Sequence, residues 1–283
     1  MKPLQIGIAV ISLVGIAVVF TLPKVVVESD KAVAEQTVVK KPNVVSHDEG
    51  HDETIAHAHE AKVQGNDLKV LADLKNQMAK AVNNEKKLIF ADSLSAYYQG
   101  LQQYDSSAAY AEYAAELAPS ETRWVSAGDR YDEAFNFAEG KVKEEYLSKT
   151  KLFYEKVLSQ NPKNLDVKSK LAMTYVGGEQ TMKGVKMLRS VLEEDPNNEK
   201  AMFNLGILSI QSGQYDKALQ RFEELIKINP KHSSAHFYRG VSYLSLGNKE
   251  KAKASFLKAK ELEKDKEFNA IVDDYLRQTE AGN

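Results

Sequence analysis

Proline falls on a ruler in the second half of this chain: Pro162, Pro196 and Pro230 stand 34 residues apart. A fixed period of this length marks a chain built by repeating one supersecondary unit, and it narrows the possible folds more than composition does. The same residue types return at the same offsets. The unit over 199–232 carries Leu205-Gly206 in its first half and Ala218, Phe222 and Leu225 in its second. The following unit has Gly240, Tyr243, Ala252, Phe256 and Ala259, with Lys264 in the place of proline. The preceding one has Leu171-Ala172, Tyr175, Gly184, Leu188 and Val191. A proline at the close of each unit ends a helix, because it lacks the N–H the ladder needs and its ring clashes with the turn before it.

Two further units are distorted copies. Trp124, Ala127-Gly128 and Tyr131 open one whose closing Pro162 arrives nine residues late. This predicts a first helix lengthened by roughly two to three turns. Upstream, Leu94, Tyr98, Gln103-Tyr104-Asp105 and Pro119 fit a unit with Ala111 and Ala114 at its core positions. The pattern Trp-x2-Ala-Gly-x2-Tyr at 124–131, Ala-x3-Phe at 218–222 and 252–256, and the closing prolines resemble the tetratricopeptide repeat. The resemblance implies an all-α, right-handed solenoid of about five helix-turn-helix units. Their expected limits are 88–121, 121–164, 165–198, 199–232 and 233–266, with a leading helix over 66–86 and a capping helix over 267–280.

The residue types suit such a unit. Gly128, Gly206 and Gly240 stand where two helices of a pair would cross, and a missing Cβ there lets the backbones approach. Ala218 and Ala252 do the same from the opposite helix, while Phe222 and Phe256 are expected to fill the space between units. One pair cannot bury its own apolar faces, so stacking supplies the core. At the C-terminal end Phe268, Ile271, Val272, Tyr275 and Leu276 follow an i, i+3, i+4, i+7, i+8 pattern, as a one-sided cap requires. Leu68, Leu71, Leu74 and Met78 make a similar stripe ahead of the first unit, with Asn66 or Asp67 as the expected N-cap.

The N-terminal segment has a different character. Leu4 to Leu22 carries no charge and would reach roughly 28 Å as a helix, near the ~30 Å hydrocarbon core of a bilayer. Residues 1–23 are therefore expected to be a transmembrane anchor. A cleaved signal peptide fits less well, because the nearest small-x-small site, Ala32-Val33-Ala34, lies well past the apolar run. An N-in, C-out anchor would make this a single-pass protein of the inner (cytoplasmic) membrane with its repeats in a bacterial periplasm. Residues 24–65 lack helical periodicity and read as a flexible linker rich in Val, acidic residues and His, with a reach of about 35–40 Å. His47, His51, His57 and His59 fall within it. They raise an alternative function, metal buffering or metal response in the envelope, although their spacing matches no compact zinc module.

Charge and chemistry remove other classes. Lys and Arg total 38 against 40 Asp and Glu, so there is no concentrated basic face for nucleic acid. The absence of cysteine excludes disulfides, thiolate nucleophiles and Cys-based zinc sites. No Gly-rich phosphate loop and no Gly-x-Ser-x-Gly elbow occurs. His232 and His236 are separated by Ser233, Ser234 and Ala235, with no Glu base between them. His236 stands where a packed aromatic is usual and is expected in the core. The chain reads as a non-enzymatic interaction scaffold with no cofactor.

The resemblance also implies where a partner docks, since first helices of such repeats line a concave groove. In this register the groove positions are Lys200, Phe203, Ile207 and Ile210 in one unit and Phe237, Val241 and Leu244 in the next. Phe203, Ile207 and Ile210 are spaced i, i+4, i+7 on a face distinct from the core stripe of Met202, Leu205, Gly206 and Ser209. A helix apolar on two faces is covered on both. The expected cover is a protein or peptide partner. The alternative is this chain itself, through the valine-rich linker or a second protomer, which would make it a self-associating structural homo-oligomer. The matching positions of the unit over 121–164 are Thr122, Val125, Asp129, Asp132 and Glu133, an acidic stretch that suggests a basic side on the partner. The Lys/Asn/Arg clamp by which chaperone-binding members hold a C-terminal carboxylate is not matched: Lys200 and Asn204 approach it, but Asp129 stands where asparagine is needed.

Overall fold

A computed structural model describes residues 65–280, and among these all regular structure is helical. The helices are α1 (Asn66–Lys80), α2 (Asn84–Gly100), α3 (Tyr104–Leu117), α4 (Glu121–Phe137), α5 (Gly140–Gln160), α6 (Leu165–Gly177), α7 (Thr181–Glu194), α8 (Glu199–Gln211), α9 (Tyr215–Ile228), α10 (Ser233–Ser245), α11 (Lys249–Leu262) and α12 (Lys266–Glu280). The chain divides between Gly184 and Val185 into two compact units. The apolar segment over 1–23 and the linker histidines lie outside the described residues. No helix among those described is long and apolar enough to cross a membrane.

In the first unit the leading helix is shorter than the expected 66–86. It stops at Lys80, and α2 begins at Asn84 under a cap in which Asn83 Oδ1 accepts the Lys86 N–H at 2.9 Å. Capping an orphan N–H starts a new helix more decisively than apolar spacing can extend the old one. Nor does Asn66 or Asp67 cap α1: Gly65 precedes it, and Asp67 accepts the Tyr97 hydroxyl at 2.7 Å instead. Leu71 of α1 is buried in a cluster with Leu94 and Tyr98 of α2.

The α2/α3 pair crosses on serines. Ser95 Oγ donates to the Ser107 carbonyl and Ser107 Oγ to the Ser95 carbonyl, both at 2.9 Å and both buried. Alanines surround this crossing, including Ala91, Ala108 and Ala111. The α4/α5 pair crosses differently: a Cβ on Gly128 would sit 2.5 Å from Tyr154 Cε1, so the tyrosine ring occupies the space a side chain would need. The surplus length of this repeat is divided between its helices, and most of it is in the second. Helix α4 has 17 residues and α5 has 21, against 13 in α8 and 14 in α9. This corrects the expected long first helix; with no proline or glycine inside 141–160 nothing stops α5 early.

In the second unit the same crossing is aromatic. Phe222 of α9 covers Gly206 of α8, where a Cβ would sit 2.6 Å from Phe222 Cζ, and Phe256 of α11 covers Gly240 of α10 at 2.5 Å from Cε1. Each ring therefore fills the crossing of its own pair as well as reaching onward: Phe222 stacks on Tyr238 at 5.8 Å and Phe256 meets Tyr275 at 5.4 Å. The helix starts repeat as well. Asn164, Asn198 and His232, again 34 apart, accept the N–H of Val167, Ala201 and Ala235 at 3.0, 3.0 and 3.2 Å.

A further latch joins successive pairs. A tyrosine on a first helix donates its hydroxyl to a glutamate on the second helix before it: Tyr131 to Glu112, Tyr175 to Glu155 at 2.7 Å, and Tyr243 to Glu223 at 2.6 Å. Each latch closes within one of the two units.

Candidate functional site

The predicted groove residues lie on α8 and α10 of the second unit, and their hydrophobic members belong to one cluster. Phe237 is 1% exposed. Its ring is enclosed by Tyr238, Phe256, Phe268 and Tyr275, with centroids 5.1 to 5.7 Å away. Two of these rings come from α12, so the C-terminal helix covers the stripe on α10. Ile210 and Val241 are buried too. Phe203 is half-buried, stacked on the His232 ring at 5.3 Å and edge-on to Phe222 and Tyr238 at 5.9 and 5.6 Å.

The reason is geometric. A first helix packs against the second helix of its own pair and against the first helix of the next. Phe203 and Phe237 occupy that second seam, with α12 standing in for a further first helix after α10. Amphipathicity on two faces is thus partly answered inside the chain. The predicted residues that keep a solvent face are Lys200, exposed, and Phe203, Ile207 and Leu244, half-buried.

The two histidines at the α9–α10 turn are occupied by backbone. His232 Nδ1 accepts the Ala235 N–H, and His236 Nε2 lies 2.9 Å from the Pro230 carbonyl, with His236 in the core as expected. Burial lowers the pKa of His232, opposed by the nearby Glu199 carboxylate. Burial likewise lowers that of His236; its contact with the Pro230 carbonyl opposes this, and the positive neighbours Arg239 and Lys258 add to it.

The acidic positions of α4, in the first unit, are partly neutralised by this chain. Asp129 accepts the Tyr154 hydroxyl and both its oxygens take Lys170 Nζ, all at 2.8 Å. Glu133 pairs with Arg130 at 3.2 Å. Asp132 is half-buried beside them, and burial, followed by the Asp129 and Glu133 charges, pushes its carboxyl up to about 6. The acidic stretch reads first as a structural network. Sequence reasoning missed it because Lys170 and Tyr154 are remote in the chain and meet Asp129 only through packing.

With this geometry in hand, likeness to known proteins is informative. The tetratricopeptide repeat family model matches residues 183–236 and 209–272. A solved tetratricopeptide repeat protein from Parabacteroides merdae has a TM-score of 0.51 at 17% identity, covering 76% of this chain and 92% of that one. YrrB, described as a TPR protein with an unusual peptide-binding site, has a TM-score of 0.43 at 24% identity, over 74% of this chain and 98% of its own. MamA has a TM-score of 0.46 at 16% identity, over 60% and 94%. No curated protein matches the chain in sequence. The tetratricopeptide repeat model accounts for residues 183–272, and the chain shares the all-helical fold of the solved tetratricopeptide repeat protein from Parabacteroides merdae.

Proposed function

We propose that this chain is a membrane-tethered, non-enzymatic scaffold or assembly factor that holds a peptide or helix of a protein partner on the face formed by α8 and α10. Tetratricopeptide-repeat proteins generally mediate protein–protein interactions. The observation that carries the reading here is the half-buried apolar set Phe203, Ile207 and Leu244 with Lys200 exposed beside it. These side chains rest on a rigid aromatic core, so a docking helix meets a preformed surface and little ordering cost opposes binding. Residues 1–23 serve as the tether in this reading, with the repeats on the periplasmic side of a bacterial inner membrane.

The test is in-cell crosslinking with a photoreactive residue at Ile207, run beside Lys200→Glu and Leu244→Glu variants. A discrete crosslinked protein that is lost in both variants, at unchanged melting temperature, supports the scaffold. Crosslinks to a second copy of this chain alone replace it with a self-associating oligomer.

A further inference from the structure

The tyrosine–glutamate latch has two gaps in the second unit: at Leu257 and Arg277, where the arginine pairs with Asp274, and at Arg189 and Ser209. Glu155, residue 189 and Glu223 stand 34 apart, as do Tyr175, residue 209 and Tyr243, but the middle pair is Arg189 and Ser209. Where two latches carry a hydroxyl donated to a carboxylate, this seam of the second unit has an arginine and a short serine. Ser209 Oγ turns away to donate to the Leu205 carbonyl of its own helix at 2.8 Å. Arg189 is exposed and forms no ion pair with any described residue.

A second arginine adds to the imbalance. Arg221 on α9 is half-buried, and its Nε is buried with no hydrogen-bond partner among the described residues. Burial, and then the positive charge of Arg189, lowers its pKa, so the two guanidinium groups lie close enough to repel. The Glu224 carboxylate opposes this shift, but it accepts from Gln220 at 3.1 Å and forms no ion pair with Arg221. A buried guanidinium N–H without an acceptor is costly, and two like charges without a counter-ion raise that cost. The buried Nε is out of reach from solvent, but a carboxylate from outside can pair with the remaining guanidinium N–H groups of both arginines and supply the missing counter-charge.

We propose that Arg189 and Arg221, at a seam where the internal carboxylate is missing, bind a carboxylate supplied by an acidic segment of a partner protein. The site is separate from the apolar face of α8 and α10 and does not depend on that face being occupied. It contributes orientation: the partner is held at one register position along the repeats.

The test uses the full chain and hexaglutamate as the probe, titrated calorimetrically at fixed ionic strength. Binding should weaken at least tenfold in Arg189→Gln and in Arg221→Gln, and stay unchanged in Arg277→Gln, an exposed arginine on α12 paired with Asp274. The double variant Arg189→Glu, Ser209→Tyr rebuilds the latch of the neighbouring seams. It should abolish hexaglutamate binding while keeping or raising the melting temperature, which separates loss of the site from loss of the fold. Equal weakening in Arg277→Gln, or no binding by the parent chain, overturns the proposal. Binding of inorganic phosphate without binding of hexaglutamate also overturns it, since the site then takes small anions and not a protein carboxylate.

Discussion

The α2/α3 pair in the first unit and the α8/α9 and α10/α11 pairs in the second solve one packing problem by opposite means. In α2/α3 the helices approach through Ser95 and Ser107, which exchange hydroxyl-to-carbonyl bonds at 2.9 Å amid alanines. In the later pairs a phenylalanine lies on a glycine, and its ring continues into a cluster with Tyr238, Phe268 and Tyr275. The 34-residue backbone plan requires close approach at the crossing but does not dictate its chemistry. Directional bonds tolerate few substitutions and bury little area. A ring on glycine buries much more, but only while the glycine stays bare. The first unit adds charge to its polar scheme: Glu112 takes both the Tyr131 hydroxyl and Lys149 Nζ, the latter at 2.5 Å. Burial, then the Asp132 and Asp129 charges, raises the Tyr154 hydroxyl far above its ordinary pKa, so it remains a donor to Asp129 at any working pH.

This contrast can be broken most forcefully at the aromatic crossing. Phe222→Ala should cost about 3–5 kcal/mol of unfolding free energy, since it empties a fully buried ring site. Denaturant melts of the variant measure this. Gly240→Leu should cost about 1–3 kcal/mol, because Phe256 already occupies the space of a Cβ. An unchanged melting temperature there would mean the ring does not rest on Gly240. In the serine crossing, Ser95→Ala should lose about 1–2 kcal/mol by removing one bond and leaving the Ser107 carbonyl without its Ser95 donor. Adding Ser107→Ala should cost less than a second full increment, which a double-mutant cycle would show.

Smaller effects sharpen the same comparison. Gly213 and Gly247 turn the second-unit pairs at φ 72° and 78°, whereas the matching residue of the α2/α3 turn is Gln102 at φ 59°. Gln102→Gly should therefore stabilise by about 1 kcal/mol, relieving a left-handed conformation that a side chain resists. His232 performs in the second unit the capping task of Asn164 and Asn198, and it does so only with Nδ1 unprotonated. Its folded pKa is lowered by burial, so its contribution is complete above the unfolded value of about 6.5 and is lost as pH falls from there toward the folded value. His232→Asn should keep the cap and flatten that decline in stability as pH falls below about 6.5. His236, shifted the same way, leaves a residual slope. Thermal melts across that range would reveal a persisting full slope if His232 were not responsible.

What could be read without the structure has a clear boundary. The 34-residue period, the glycines at 128, 206 and 240 and the prolines at 162, 196 and 230 are local or strictly periodic signals, and they name the unit and its core stripe. Helix limits were less legible. Asn83 acts as a cap inside the span 66–86 expected to be one helix, and the surplus residues of 121–164 divide between α4 and α5 with no mark in the sequence to apportion them. The candidate site was legible only as a stripe. Periodicity reports that Phe203, Ile207 and Phe237 share a face, because side-chain direction along a helix follows from spacing alone.

Which parts of that face meet solvent was decided by tertiary structure. Phe268 and Tyr275 of α12 close over Phe237, while Lys200, Phe203, Ile207 and Leu244 keep some exposure. The network around Asp129 and the open latch at Arg189 and Ser209 belong to the same category. A period tells each residue which neighbour position it faces, and by itself this determined the repeating helix pair. Whether that position holds a partner, a counter-ion or nothing depends on a residue tens of positions away, and only the packed chain brings the two together.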